Sequence, residues 1–344
     1  MEILYKKYRV NLKYTFGISR ERNDWYDRIL LFIKHKNIYG VGEAAPSIRY
    51  GETVELIEDV LKTNILIPDM LNDYESIWDY LLPKLKGLKS LEAAISMALL
   101  DYFGKLNKIP LCNLLNIKDT KSNFTSYTIS IGKISQIKNK IQDAKAFKIL
   151  KVKLGTKGQD KNIIREIRKY TDKKIRVDAN EGWTFEEGLD LCRWLEDYNI
   201  ELIEQPFPAH EVENTKLLKN ESSIDIIADE NSCNKFDILK IHTAFDGVNI
   251  KLMKCGSLFE AIDMIKIAKD YNMKIMLGCM IETSAAISAM YQISGEADFL
   301  DLDGNLLIEN DPFKGVIVEN GVLKGSLNPG IGAVLKNKYK ELLK

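Results

Sequence analysis

Histidine is scarce in this chain of 344 residues: the three present, His35, His210 and His242, are scattered, so neither a histidine metal cage nor a histidine relay is expected, and each is assigned to surface or loop. The five cysteines, Cys112, Cys192, Cys233, Cys255 and Cys279, are odd in number, far apart and never spaced C-x-x-C. They read as reduced thiols, which excludes a disulfide framework and a thiolate zinc site. No uninterrupted apolar run of about 18 residues occurs, and the opening Met-Glu-Ile-Leu-Tyr-Lys-Lys lacks the apolar core of a signal peptide, so a cytoplasmic location is expected. Charge of one sign is lacking too. Lys plus Arg (49) cancels Asp plus Glu (49), which removes any global electrostatic reason to bind nucleic acid or an anionic membrane. With only 8 Pro and 21 Gly, the composition is that of an ordinary globular chain.

What is present is periodicity. Two alternating apolar–polar runs, Ile3 to Phe16 and Ile29 to Val41, flank the polar stretch Ser19 to Asp24 and predict an antiparallel hairpin. Helical spacing follows over Val54 to Leu61, Ser76 to Leu82 and Ser90 to Phe103, with Ser90 as the expected N-cap. From residue 123 short β-rich runs recur, beginning at Thr125, Ile149, Ile175, Leu202, Ile226, Val248, Ile275 and Phe299. Amphipathic stretches such as Asn162 to Tyr170, Phe185 to Tyr198 and Leu258 to Tyr271 lie between them. This is the rhythm of consecutive βα units: a closed barrel, or else an open doubly wound sheet. The open sheet would announce a glycine-rich phosphate turn after its first strand. Ile131-Gly132-Lys133 offers one glycine, and neither Gly40-Val41-Gly42 nor Gly330-Ile331-Gly332 opens a helix after a barrel strand. The expected α/β architecture is a (β/α)7β TIM-like barrel over 120–312 with an α+β capping domain over 1–115, completed by the returning segment 313–344.

In such a barrel the chemistry lies where strands end. Here those ends are polar: Lys151-Val152-Lys153, Asp178-Ala179-Asn180, Glu204-Gln205-Pro206, Asp229-Glu230, Asn249-Ile250-Lys251 and Asp301-Leu302-Asp303. Residues i and i+2 share a strand face, so Lys151 points with Lys153 and Asp301 with Asp303. A lone K-x-K or D-x-D is more often a half-exposed strand than a site. Three carboxylates from consecutive strands, Asp178, Glu204 and Asp229, are another matter, because their mutual repulsion in a barrel mouth demands a cation. An all-oxygen set favours a hard ion, Mg²⁺ first, Mn²⁺ second and Zn²⁺ last. Lys153 and Lys251 come from strands nearly opposite around the ring, so two bases would face one substrate. Such a base needs its pKa lowered toward ~7 to 8, which burial and the positive charge of Lys151 and the metal are expected to supply. Lys254 falls off the strand parity and is expected in solvent.

These motifs, in this order and over nearly the whole chain, resemble the enolase superfamily, within it the muconate-lactonizing subgroup and most closely the dipeptide epimerases. The resemblance implies Asp178, Glu204 and Asp229 as Mg²⁺ ligands, Lys153 and Lys251 as acid/base pair, and Lys151 as electrostatic and substrate-binding help. It also implies Asp301 and Asp303 as holders of the substrate's α-ammonium, with Thr128 as a further substrate contact. The implied reaction is a 1,1-proton transfer that inverts Cα of the C-terminal residue of a dipeptide. A homo-oligomer is left open, since relatives are often oligomers. Epimerases of Ala-Glu carry an Arg in the capping-domain hairpin loop. By register from Phe16 this chain places Glu21 there, between Arg20 and Arg22, with Phe16, Ile18, Trp25 and Tyr26 as apolar neighbours. The loop of Phe16, Ile18 and Glu21 is therefore expected to favour hydrophobic or aromatic Xaa in L-Ala-L-Xaa; a one-residue slip would restore an Arg and the peptidoglycan-recycling substrate L-Ala-L-Glu. Other readings are a lyase of the o-succinylbenzoate synthase or muconate cycloisomerase type, which has no use for D-x-D, a Schiff-base aldolase, which leaves the three carboxylates unexplained, and an idle binding protein, at odds with a complete set of acid/base positions.

Overall fold

The alternating N-terminal residues pair as three antiparallel strands, β1 (Glu2–Gly17), β2 (Arg22–His35) and β3 (Ile38–Ala44), in the computed structural model, which describes residues 1–63, 65–117 and 123–343. The expected second run is thus two strands. Lys36 turns the chain between them with φ 54°, a left-handed conformation that lysine does not advertise as glycine or asparagine would. Three helices follow, α1 (Val54–Leu61), α2 (Tyr74–Leu81) and α3 (Lys89–Asn107). Helix α3 lies so close on β3 that a Cβ at Gly40 or Gly42 would sit 1.9 or 2.0 Å from the carbonyls of Ala98 and Ala94. That G-x-G is a packing device. Ser90 is not the cap of α3. It lies inside the first turn, where its N–H and hydroxyl both donate to the carboxylate of Glu52, 38 residues upstream. Glu52 thus meets an orphan helix donor from a distance that no local pattern reveals.

Eight parallel strands then form in chain order: β4 (Ser126–Ile129), β5 (Ile149–Lys153), β6 (Lys174–Asp178), β7 (Ile200–Glu204), β8 (Asp225–Ala228), β9 (Gly247–Lys251), β10 (Lys274–Gly278) and β11 (Phe299–Asp301). A parallel bridge between Thr125 and Leu300 brings the last strand to the first. A helix follows each strand but the last: Ile137–Asp143, Asp160–Arg168, Phe185–Leu195, Val212–Glu221, Lys235–Ile241, Leu258–Asp270 and Ser284–Tyr291. Each turns its apolar stripe inward, as Ile163, Ile164 and Ile167 do. Thr184 and Asn234 begin two of these helices with reciprocal capping boxes. The expected boundary at residue 120 lies outside the described residues. No helix among those described is long and apolar enough to cross a membrane.

After β11 the chain returns. Asp101 of α3 accepts the N–H groups of Val41 (2.8 Å) and Ile331 (2.9 Å), joining β3, α3 and the C-terminal segment at one carboxylate. Gly330 makes this possible: its φ is 75°, and a Cβ there would fall 2.0 Å from Asp101 Oδ1. The capping domain is completed by the chain's end.

The cap meets the barrel through Glu43, at the end of β3, which accepts the N–H of Thr283 at 2.9 Å and its hydroxyl. Beside it Glu282 accepts the N–H of Met280 at 2.8 Å while its other oxygen has no partner. Burial pushes Glu43 up to about 7 and, with the neighbouring Glu43, Glu282 up to about 8. Both carboxyls therefore hold protons in the folded chain that the unfolded chain has released. Stability from this pair is full below the unfolded pKa of about 4.5 and is lost as pH rises through 7 and 8. Glu282→Gln is expected to raise the melting temperature relative to the parent, and by more at pH 9 than at pH 6. Equal shifts at both pH values would refute a protonated Glu282.

Candidate active site

At the C-terminal ends of the barrel strands, under the cap, lies a cavity of about 430 Å³. Its floor carries Thr128 from β4, Lys151 and Lys153 from β5, Asp229 after β8, Lys251 from β9, and Asp301 and Asp303 from β11 and beyond. Its roof comes from the cap: Phe16, Ile18, Glu21, Trp25 and Tyr26 on the β1–β2 side, and Ile48 and Tyr50 after β3. Every site residue expected from the sequence is brought here, with Asp178 and Glu204 just beneath the lysines.

Oxygen atoms of Asp178, Glu204 and Asp229, all buried, lie within 4.8 Å of one another. Parallel pairing explains this: Lys153, Asp178 and Glu204 are register partners across β5, β6 and β7. Cations surround the cluster. Lys153 Nζ donates to Asp178 Oδ2 at 2.6 Å, and Lys251 Nζ to Asp229 Oδ2 at 2.7 Å. Lys151 Nζ lies 2.6 Å from Glu204 Oε2, 2.7 Å from Asp301 Oδ2 and 3.1 Å from Asp178 Oδ2. Glu204 Oε1 accepts from Asn249 Nδ2 at 2.8 Å, and Oε2 is held by its ion pair with Lys151. Three buried carboxylates converging on one point, with no nitrogen or sulfur donor among them, fit a hard cation.

One expectation needs correction. Lys254 is not in solvent: its side chain is 0% exposed and its Nζ donates to Asp229 Oδ1 at 2.7 Å and Asn249 O at 3.0 Å. Strand parity was the wrong ruler, because β9 ends at Lys251 and residues Leu252–Cys255 form a helical turn that swings Lys254 back to the cluster. The carboxylates beside Lys251 and Lys151 hold both lysines up. Burial pushes Lys251 down, but Asp229 against it outweighs burial and holds it above its ordinary value. Lys151 behaves likewise, with Asp301 the strongest of its counter-charges. The two carboxylates of D-x-D differ in their partners. Asp301 is already engaged by Lys151 and by the hydroxyl of Ser126. The carboxyl of Asp303 accepts the N–H of Thr128 at 2.6 Å and has no ion pair among the described residues. Burial, and then Asp301, push Asp303 up to about 7. It is the carboxylate still lacking a cation.

The loop residues divide as well. Glu21 lines the cavity and accepts the hydroxyl of Tyr26 at 2.8 Å. Arg20 turns to the rim, donating to Glu181 (2.8 Å), Glu230 (2.7 Å) and the carbonyl of Asn180 (2.7 Å). Arg49, on the turn after β3, forms a two-pronged pair with the same Glu181 at 2.7 and 2.8 Å. Two loops of the cap are thereby clamped to the barrel mouth, a contact that links residues 132 and 161 apart and left no trace in local sequence. All five cysteines are free thiols, and His210 is exposed while His242 stacks on Tyr271, neither of them in the cavity.

Comparison with known proteins agrees with this geometry. Residues 136–339 match the enolase C-terminal domain-like family. The chain is 38% identical to the L-Ala-D/L-Glu epimerase of Bacteroides thetaiotaomicron, over 97% of this chain and 88% of that one. It is 34% identical to the L-Ala-D/L-amino acid epimerase of Flavobacterium johnsoniae, over 97% and 100%. Among solved structures it superposes with a TM-score of 0.88 on the dipeptide epimerase of Cytophaga hutchinsonii complexed with Mg and D-Ala-L-Val, at 27% identity over 98% of this chain and 97% of that one. Mg²⁺ is thus the cofactor of this fold and its acidic triad. The chain belongs to the enolase superfamily, on the branch that includes the dipeptide epimerases.

Proposed function

We propose that this protein is an Mg²⁺-dependent isomerase that inverts Cα of the C-terminal residue in L-Ala-L-Xaa dipeptides by two-base proton transfer. The observation that carries the reading is the pair Lys153 and Lys251, on strands four places apart in an eight-stranded ring, each bonded to a different member of one carboxylate cluster and both facing one cavity. Asp178, Glu204 and Asp229 would hold the metal. Bound there, Mg²⁺ offsets the charge of these carboxylates and stabilises negative charge that builds on a substrate carboxylate in the transition state.

The residues then have distinct tasks. One lysine takes the α-proton into its Nζ lone pair, and the other delivers a proton from its ammonium to the opposite face of Cα, so the stereocentre inverts and the protein is left with the proton exchanged between sides. Lys151, fully buried among Asp301, Glu204 and Asp178, stays charged throughout and adds positive potential beside the reacting carboxylate. Asp303, lacking a cation, receives the dipeptide's ammonium, with Asp301 adding to the field. Thr128 fixes Asp303 by its backbone N–H. A lyase would leave Asp303 without a purpose.

For Xaa, the roof supports a preference for hydrophobic side chains. Phe16, Ile18, Trp25 and Tyr26 line it, together with Met280, Ile281 and Leu307. The loop supplies no arginine for an acidic group: Arg20 is committed to Glu181 and Glu230, and Arg22 does not line the cavity. The test is proton NMR in D₂O with a panel of L-Ala-L-Xaa dipeptides and Mg²⁺. Loss of the C-terminal α-proton signal and growth of the L,D diastereomer are expected, fastest for hydrophobic Xaa. Absence of exchange with every member would refute the dipeptide reading.

A further inference from the structure

One cation in the cavity has no part in the chemistry above. Arg28, in β2, is 3% exposed yet lines the cavity with Tyr26, Met280 and Ile281. Its Nε donates to the carbonyl of Ile281 at 2.7 Å and Nη1 to that of Asp27 at 2.9 Å, so two backbone acceptors fix the guanidinium plane. The Tyr26 ring lies 4.8 Å from its Cζ. Its Nη2 donates to no described residue, and no described carboxylate approaches within the 4.0 Å of an ion pair.

The carboxyls that face it leave its charge unmet. Glu43 is turned to Thr283, Glu282 to the N–H of Met280, and Glu21 to the hydroxyl of Tyr26, while Asp27 pairs with Lys7 and Arg9. Burial raises the first to about 7 and the second to about 8, which weakens both as counter-ions near neutrality. A buried cation without an anion is unfavourable, and evolution of a stable fold would more simply place an apolar residue there. The missing anion has one route of entry, the substrate cavity itself.

We propose that Arg28 is a specificity-determining residue whose unpartnered Nη2 edge receives an acidic side chain of the dipeptide's C-terminal residue, extending an otherwise apolar wall to L-Ala-L-Glu. This rests on the dipeptide reading. It differs from the loop-arginine arrangement in that the cation is rooted in a strand and oriented by backbone carbonyls. Tyr26 and Ile281 beside it supply the apolar surface for the side chain's methylenes, so acidic and hydrophobic Xaa share one pocket.

The experiment compares kcat/KM for L-Ala-L-Glu, its neutral isostere L-Ala-L-Gln and L-Ala-L-Leu in the parent, Arg28→Met and Arg28→Lys. In the parent, Glu is expected to exceed Gln by at least about tenfold, the value of a charge-assisted hydrogen bond. In Arg28→Met the Glu-to-Leu ratio is expected to fall about 10- to 100-fold, mostly through KM, and Arg28→Lys to recover part of it. An unchanged Glu-to-Leu ratio in Arg28→Met, or Gln as good as Glu in the parent, overturns the proposal. The parent's Glu-to-Gln ratio decides the matter even if Arg28→Met does not fold. Turnover of Ala-Leu without Ala-Glu defeats the role of Arg28 and leaves the dipeptide reading standing; exchange with none of the three defeats both.

Discussion

Lys153→Ala is expected to abolish epimerisation while leaving hydrogen exchange at Cα with only one of the two diastereomers. The two lysines reach Cα from opposite sides, so each can abstract from the isomer whose C–H bond faces it. Without Lys153, Lys251 still removes and returns a proton on its own side, giving deuterium incorporation without inversion; Lys251→Ala should show the mirror pattern with the other isomer. General acid/base transfer contributes about 10² to 10⁴ in rate, and with no other base on the vacated face the loss in epimerisation should reach at least about 10³-fold. Both variants are expected to fold. Asp178 keeps Lys151 at 3.1 Å when Lys153 is lost, and Asp229 keeps Lys254 at 2.7 Å when Lys251 is lost, so neither carboxylate is left buried and unpaired. Proton NMR in D₂O on each purified diastereomer reads the outcome. If one variant exchanges both isomers, or still inverts, the two-base assignment is wrong.

The barrel was legible because its signals are local. A strand end is a few residues long, its parity fixes which side chains face inward, and the order of the ends needs only counting, so the sequence alone brings Lys153, Asp178, Glu204, Asp229 and Lys251 together. The departures all involve geometry that counting along one element does not carry. Lys254 reaches Asp229 because the strand becomes a helical turn at Leu252. Ser90 meets Glu52 and Arg49 meets Glu181 across separations that a local pattern cannot encode. The loop was read for an arginine in the loop, whereas the guanidinium without a counter-ion stands in the strand that follows it. Lys251 is held above its ordinary value because its attraction to Asp229 at 2.7 Å outweighs burial and the repulsion of Lys151. Sequence spacing shows which charges share a site. It does not show which pair is shortest.

The second large effect concerns the metal. Chelation is expected to abolish turnover, Mg²⁺ to restore it with Mn²⁺ as a partial substitute, and Zn²⁺ to restore little, because the donor set is three carboxylates without nitrogen or sulfur. A readout independent of activity comes from linkage: an ion that binds the folded chain alone adds about 2.7 kcal/mol of stability at 100 times its Kd, so the melting temperature should climb with Mg²⁺ concentration. Glu204→Gln is the variant that tests the site. Asn249 would still find an amide oxygen at Oε1, preserving the bond at 2.8 Å, but the oxygen that pairs with Lys151 becomes an NH₂ group that faces Lys151 and the place of the ion. Two donors then confront the cation. With one carboxylate charge of the triad removed, the variant should lose both turnover and the Mg²⁺-dependent rise in melting temperature while remaining folded in the absence of metal. A chelated enzyme that still epimerises, or a Glu204→Gln protein that Mg²⁺ stabilises as it does the parent, would place the metal elsewhere and sever the link between this cluster and the chemistry above it.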